Sequence, residues 1–379
     1  MSKKKFVTKK EKQFLINAFF ICGFISLAIL LLIRPALPNK SSQDIATTIS
    51  GILGTALGFF GSILVYKALI EQVNANKLIQ KQFILQQFES RLYKMLDIYN
   101  LNVNNLKLFG RKTGNLFEGK AVFSHMISNF NKLKKEVSEF NTAKNYNNNQ
   151  IINESYLAKI NELNLNINQL LILELSYIIF FYGVGVTGRK NIKSLLREKY
   201  NQEYLKQLLN YLSNKPVEYN SSEEIKEHWM NIMLEFEDFD TPNNASFDKF
   251  YNGHQSNLGH YYRHTFMIIK FINEQKMLSY LEKWEYSKLL RTQLSNHEQE
   301  LFFLNSISVL GREWELNHIV SETRIEENKR FITKYDLIKN VSKAIREKYH
   351  IEFFYPNVEF EDNPGETDYR KELEKNVYN

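Results

Sequence analysis

Residues 45–66 read IATTISGILGTALGFFGSILVY, a stretch with no charged side chain. At about 1.5 Å of rise per residue it is long enough to cross a hydrocarbon core of roughly 30 Å. The chain continues beyond Lys67 as KALIEQVNANKLIQKQFILQQFESRLYKML without a proline or glycine. Nothing there breaks a helix, so the expectation is one helix that leaves a membrane and becomes a stalk over residues 71–109.

Working outward toward the start, residues 14–33 (FLINAFFICGFISLAILLLI) are also uncharged and follow a cluster of six lysines within residues 1–12. A signal peptide has the same general layout. The apolar run here is longer than a typical signal core, and Arg34-Pro35 stands where a small-residue cleavage site would be, which favours a retained transmembrane helix, the first of two spans. The loop RPALPNKSSQD at residues 34–44 joins the two spans. Lysines flank both outer ends of this pair, at residues 3–12 and at Lys67, Lys77 and Lys81. The positive-inside rule then puts both termini in the cytoplasm of a bacterial cell with a multi-pass inner-membrane hairpin over residues 14–70.

Charge supports this division. The chain has 379 residues and a formal net charge of +7. The six lysines and one Glu11 of residues 1–12 carry +5 of it, leaving +2 for the rest. The basicity is a topology signal, whereas a nucleic-acid binder spreads its charge over a folded face. Six prolines and 15 glycines in the whole chain favour long helices, and 28 Phe with 21 Tyr supply an aromatic core. Cys22 is the single cysteine, so no intrachain disulfide or cysteine zinc site can form. The expected fold is mostly α: a basic N-terminus (1–13), the hairpin (spans 14–33 and 45–66), the stalk, a helical cytoplasmic bundle over 110–358, and a polar tail over 359–379.

Within the second span Gly51, Gly54, Gly58 and Gly61 fall close to one face. Small residues at this spacing let helices pack closely, either between the two spans of one hairpin, which we favour, or between copies of the chain. In the stalk, Leu78, Leu85, Phe88, Leu92, Met95 and Tyr99 show heptad-like spacing. The run is under three heptads, so docking on the protein's own helices is preferred to an autonomous coiled coil.

In the remaining chain a helix is expected over 120–140, one or two over 151–182, and another over 191–212. GVGVTG at 183–188 matches GxGxxG, but helical patterns flank it on both sides; an inter-helix turn explains it better than a dinucleotide loop. An acidic stretch lies at 214–244 around His228 and Trp229, and IEFFY at 351–355 reads as extended.

The most distinctive residues fall in FDKFYNGHQSNLGHYYRHTFMIIKFIN (247–273) and YSKLLRTQLSNHEQELFFLNSISVLG (286–311). Together with QQFESRLYKMLDIYNLNV (86–103) and SYIIFFYGVG (176–185) they resemble the phage abortive infection family often called AbiC-like. The matching positions are His254, Gln255, Ser256, Leu258, Gly259, His260, Tyr261, Tyr262, Arg263 and His264, then Arg291, Gln293, Leu294, Ser295, Glu298 and Asn305. The resemblance implies a membrane-anchored helical protein of phage defence that arrests or kills the infected cell. It does not supply a biochemical activity.

The residues allow several readings. His254, Gln255, Ser256, His260, Tyr262, Arg263, His264 and Asn305 are the expected binding residues. His260 and His264 share a helix face at i, i+4 and with His254 could hold a metal, but no carboxylate is near in sequence and Arg263 would repel a cation; no metal or cofactor is expected. Ser295 and Glu298 form a capping-box pattern, with Gly311 at the far end of the helix. Arg291 and His297 form an R-x5-H pair that looks like the motif of HEPN ribonucleases, where the arginine holds a phosphate and the histidine moves a proton. Three mechanistic classes follow: a sensor whose hairpin does the damage, a metal-independent, membrane-tethered ribonuclease, or a scaffold that recruits a separate effector. The expected partners are the lipid bilayer, a phage or host protein trigger and a second copy of the chain, with RNA only for the ribonuclease.

Overall fold

The computed structural model describes residues 41–109, 115–162, 165–213, 253–316 and 330–362, with isolated positions between 16 and 31. The first expected span, the acidic stretch with His228 and Trp229, and the tail beyond 362 therefore lie outside the described residues. The described residues are mostly helical, with two short strands. It divides into two compact units, residues 1–90 and 91–379.

The first unit is dominated by α1, Ser42–Asn104, a single helix of 63 residues that runs on into the second unit. Ser41 caps its start: the Asp44 amide donates to Ser41 Oγ at 3.3 Å, and Ser41 Oγ donates to Asp44 Oδ2 at 2.9 Å. An 18-residue window of this helix has a mean hydropathy of 1.8 and none of it is buried. Among the described residues α1 is the one unbent helix long and apolar enough to cross a membrane, by length and composition. Its hydroxyls are satisfied within the helix. Thr48 Oγ1 donates to Asp44 O at 2.8 Å, Thr55 Oγ1 to Gly51 O at 2.7 Å and Ser62 Oγ to Gly58 O at 2.9 Å. Such back-bonding lets a hydroxyl sit in an apolar surrounding without water. Around Gly51, Gly54, Gly58 and Gly61 the described residues leave open space.

In the second unit the last turns of α1 bury Leu92, Leu96, Tyr99 and Val103, with Met95 half-buried. The buried stripe follows the α-helical period and takes in Leu96, which the heptad reading passes over. A hairpin follows: β1 (Lys107–Phe109) pairs antiparallel with β2 (Leu116–Glu118), Leu108 facing Phe117. The stalk expected over 71–109 thus ends as a helix at Asn104, and residues 107–109 form a strand.

Next come α2 (Lys120–Lys144), α3 (Asn148–Ile151), α4 (Glu154–Glu162), α5 (Ile167–Tyr182), α6 (Val186–Leu195) and α7 (Gln202–Ser213). The core is built around α5, which buries eleven residues and packs against α2, α4, α6, α8 (Gln255–Asn273) and α10 (Asn296–Ile307). α9 (Tyr280–Arg291) packs on α8, and a 3-10 turn (Arg312–Trp314) follows α10. α11 (Phe331–Lys334), α12 (Lys343–Tyr349) and α13 (Ile351–Phe354) complete the described chain.

Four expectations change. The helix over 191–212 is two helices, because Tyr200 pairs with Ile152 and the Asn201 side chain accepts the Glu203 and Tyr204 amides to start α7. Residues 351–354 form a helical turn in place of an extended segment, with His350 in the left-handed region ending α12 (φ 52°) and Tyr355 OH donating to Ser306 Oγ at 2.7 Å. Gly311 does not end α10; Ser308 does. Residues 358–360 are buried and not a loose tail, since the Glu359 amide donates to Asp336 Oδ1 at 3.1 Å and Arg346 covers Phe360. The GVGVTG glycines make the expected turn. Gly183 ends α5 and Gly185 starts α6, while a side chain on Gly188 would run into the Tyr182 and Gly183 carbonyls.

Candidate functional site

The site begins at Gly253, whose φ of +80° places it where L side chains are strained, and where a Cβ would strike the Tyr182 carbonyl. This close approach lets the His254 amide donate to Phe181 O at 2.8 Å, and the His254 ring lies 4.4 Å from the Phe180 ring. His254 is only 7% exposed. It wedges the start of α8 against the end of α5.

From there the expected residues separate by helix face. Tyr262 is buried, its hydroxyl donating to Leu301 O at 3.0 Å on α10. Gln255, Ser256, His260 and Arg263 are exposed. Arg263 Nε donates to Gly259 O at 3.0 Å, and its Nη2 lies 3.4 Å from His260 Nδ1. His264 Nε2 sits 2.8 Å from Met95 O. A carbonyl can only accept, so Nε2 carries the proton in this contact and is not a metal-binding nitrogen there. The structure thus joins His254, Tyr262 and His264 as helix-positioning contacts and leaves Gln255, Ser256, His260 and Arg263 facing out.

At α10 the capping box is present. Glu298 Oε2 accepts from the Ser295 amide at 2.8 Å and from Ser295 Oγ at 2.7 Å, and the Glu298 amide donates to Ser295 Oγ. Glu298 is also fully buried, and its Oε1 accepts from Tyr99 OH at 2.5 Å and Tyr261 OH at 3.3 Å. One carboxylate therefore ties the last turns of α1 to α8 and α10. Burial, reinforced by the Glu298 charge, pushes the Tyr99 hydroxyl well above its ordinary pKa, so it stays a donor. Asn305 is buried too, its Nδ2 donating to Tyr177 OH at 3.1 Å, and a side chain on Gly311 would collide with Asn305 Oδ1.

Arg291 and His297 do not share an open surface. Arg291 is 4% exposed; its Nη1 donates to Tyr335 O at 3.1 Å and Asp336 O at 3.3 Å, and its guanidinium lies 4.8 Å from the Trp284 ring. The His297 side chain is 45% exposed, with Nδ1 3.6 Å from Glu300 Oε2. The arginine holds the 335–336 chain in place.

The sequence reading missed the buried ion pair of Glu174 and Arg312. Glu174, in the middle of α5, accepts from Tyr156 OH at 2.6 Å, Tyr200 OH at 2.9 Å, the Val309 amide at 2.9 Å and Arg312 Nη2 at 2.8 Å. Burial works against the Arg312 charge, but Glu174 and the neighbouring tyrosines outweigh it and raise its pKa. A charged residue inside LILELSYIIFFY was the available signal; its partners, 18 to 138 positions away, were not. Farther on, burial pushes the Glu315 carboxyl up to about 7 despite bonds from the Thr333 amide and hydroxyl, and pushes the Lys334 amine down to about 7, with Lys283 adding to the effect.

Among the described residues no three His, Cys, Asp or Glu side chains are gathered to hold a metal ion. Residues 253–345 match the family model described as "Putative phage abortive infection protein". No curated protein and no solved structure matches the chain. The AbiC-like resemblance is thus shown over residues 253–345, the stretch that holds both the His254–His264 and the Arg291–Glu298 blocks.

Proposed function

We propose that this chain is a membrane-anchored abortive infection protein whose helical cytoplasmic unit senses a phage or host factor and triggers growth arrest or membrane damage. The observation that carries this reading is the family match over 253–345, which supports a role in abortive infection at the level of the family. The uncharged residues 45–66 in an unbroken helix support a membrane anchor, and the lysines at the outer ends of the expected hairpin, in residues 3–12 and at Lys67, Lys77 and Lys81, support the cytoplasmic side for the helical unit.

Within the matched stretch, the exposed Gln255, Ser256, His260 and Arg263 form the recognition face. His254, Tyr262, His264 and Asn305 hold that face in position through contacts to α5, α1 and α10. A sensor needs such an outward polar surface on a rigid support. The ribonuclease reading would require Arg291 to present its guanidinium to a phosphate, and two backbone carbonyls and the Trp284 ring already engage it.

Phage plaquing with a membrane-potential dye tests the proposal. The double variant His260→Ala, Arg263→Ala is expected to lose protection while keeping the wild-type melting temperature, and removal of residues 1–70 is expected to lose both protection and depolarisation. Full protection by the double variant would sink the recognition face; full protection by the shortened chain would sink the membrane role. His297→Ala should protect as the wild type does, and its loss of protection with intact folding would favour the ribonuclease.

A further inference from the structure

An open cleft of about 430 Å³ lies between α2, the first turn of α5 and the α12–α13 junction. None of its lining residues falls within 253–345, so the family match assigns it nothing. We propose that this cleft binds a small phosphorylated ligand of about mononucleotide size.

Its walls carry Lys134, Lys135 and Lys348. Lys348 Nζ is held at 2.9 Å by Glu300 Oε1, a carboxylate 2% exposed that also accepts from Tyr349 OH at 2.6 Å. Lys135 makes a loose, exposed pair with Glu139 at 3.7 Å. Three lysines against these two carboxylates leave one positive charge over, and it sits at Lys134. The Lys134 and Lys348 ammonium groups lie 5.1 and 4.4 Å from the centroid of the same Tyr349 ring. Two like charges gathered in a concave, half-buried place are a cost that an anion between them removes. In keeping with this, burial and then the Lys348 charge lower the Lys134 pKa, and the Glu300 carboxylate offsets them only in part.

The amide side of the cleft sets the rest of the ligand. Asn168 Oδ1 accepts from Asn148 Nδ2 at 2.7 Å, which leaves the Asn168 amide hydrogens as donors for a phosphate oxygen. Gln169 Oε1 is buried and accepts no hydrogen bond among the described residues. A buried acceptor is costly until a donor reaches it, and a ribose hydroxyl or a base amine supplies one. Cations and amide hydrogens for the phosphate, with an acceptor for a sugar or base, make a nucleoside monophosphate the fitting class. The volume lies within the usual range for small-ligand sites, roughly 300–1,000 Å³. His350, also on the wall, adopts the left-handed conformation (φ 52°) that places the α12–α13 corner here.

Titration calorimetry of the purified full chain at fixed ionic strength tests this, with AMP, inorganic phosphate and adenosine as probes. AMP should bind, phosphate more weakly and adenosine not at all. Lys134→Met and Asn168→Leu should each weaken AMP by about tenfold or more at an unchanged melting temperature. Absence of AMP binding, equal binding of adenosine, or wild-type affinity in both variants would each overturn the proposal. Stronger binding of a single-stranded RNA oligonucleotide than of AMP would replace the small ligand by a polymer and overturn it as well.

Discussion

Among the described residues two helices are apolar enough to attract attention, and they have opposite surroundings. Residues 45–66 of α1 hold no charge, and the apolar window of that helix is not buried at all. α5 is equally apolar in appearance but buries eleven residues among other helices, and at its centre stands Glu174, fully buried. A buried carboxylate is tolerable only where donors converge on it, and four groups do so here: two tyrosine hydroxyls, an amide and the Arg312 guanidinium. A bilayer offers no such set. The charge inside the apolar run, more than the run's length, marks α5 as a protein-core helix and α1 as the membrane candidate.

The strongest way to break this contrast is to change Glu174. Glu174→Leu leaves Arg312 buried without its carboxylate and should cost about 3–5 kcal/mol of stability in chemical unfolding. The double variant Glu174→Leu, Arg312→Leu should recover much of that loss. Equal stability of the single variant and the wild type would mean the network contributes little. On the other side, Leu57→Arg puts a charge in the middle of the α1 apolar stretch, at about 2.5–3.5 kcal/mol against membrane insertion. In a chain lacking residues 1–40, so that the span at 14–33 cannot hold it, that variant should move from the membrane to the soluble fraction on carbonate extraction, with no change in the unfolding of the helical unit. Retention in the membrane would argue against residues 45–66 as the anchor. A smaller effect is expected at the capping box, where Ser295→Ala should lower stability by about 1 kcal/mol. A loss several times larger would show that Ser295 acts mainly by orienting Glu298 toward Tyr99 and Tyr261.

Local chemistry was legible wherever partners lie within one helical turn. Ser295 and Glu298 read correctly as a cap because the box closes over three residues, and GVGVTG read correctly as a turn because helical patterns bracket it. His254, Tyr262 and Asn305 were singled out as binding residues, yet their contacts are with Phe180, Leu301 and Tyr177 inside the core. Burial of an aromatic or amide side chain depends on which helix lies opposite, and no spacing within its own helix carries that. Arg291 shows the same limit: six residues separate it from His297, but its hydrogen bonds reach the carbonyls of residues 335 and 336.

By itself, the sequence determined the helical character, the uncharged candidate span, the resemblance borne by the two blocks, and the local caps and turns, because each depends on period, length or nearest neighbours. Only the tertiary structure decided which of the distinctive side chains face outward, that Glu298 joins α1 to α8 and α10, that Glu174 anchors α5, and that Lys134 and Lys348 meet over Tyr349. Those outcomes bring together residues up to 215 positions apart (Lys134 and Tyr349), and their energies exist only once desolvation has forced each buried charge to find its partner.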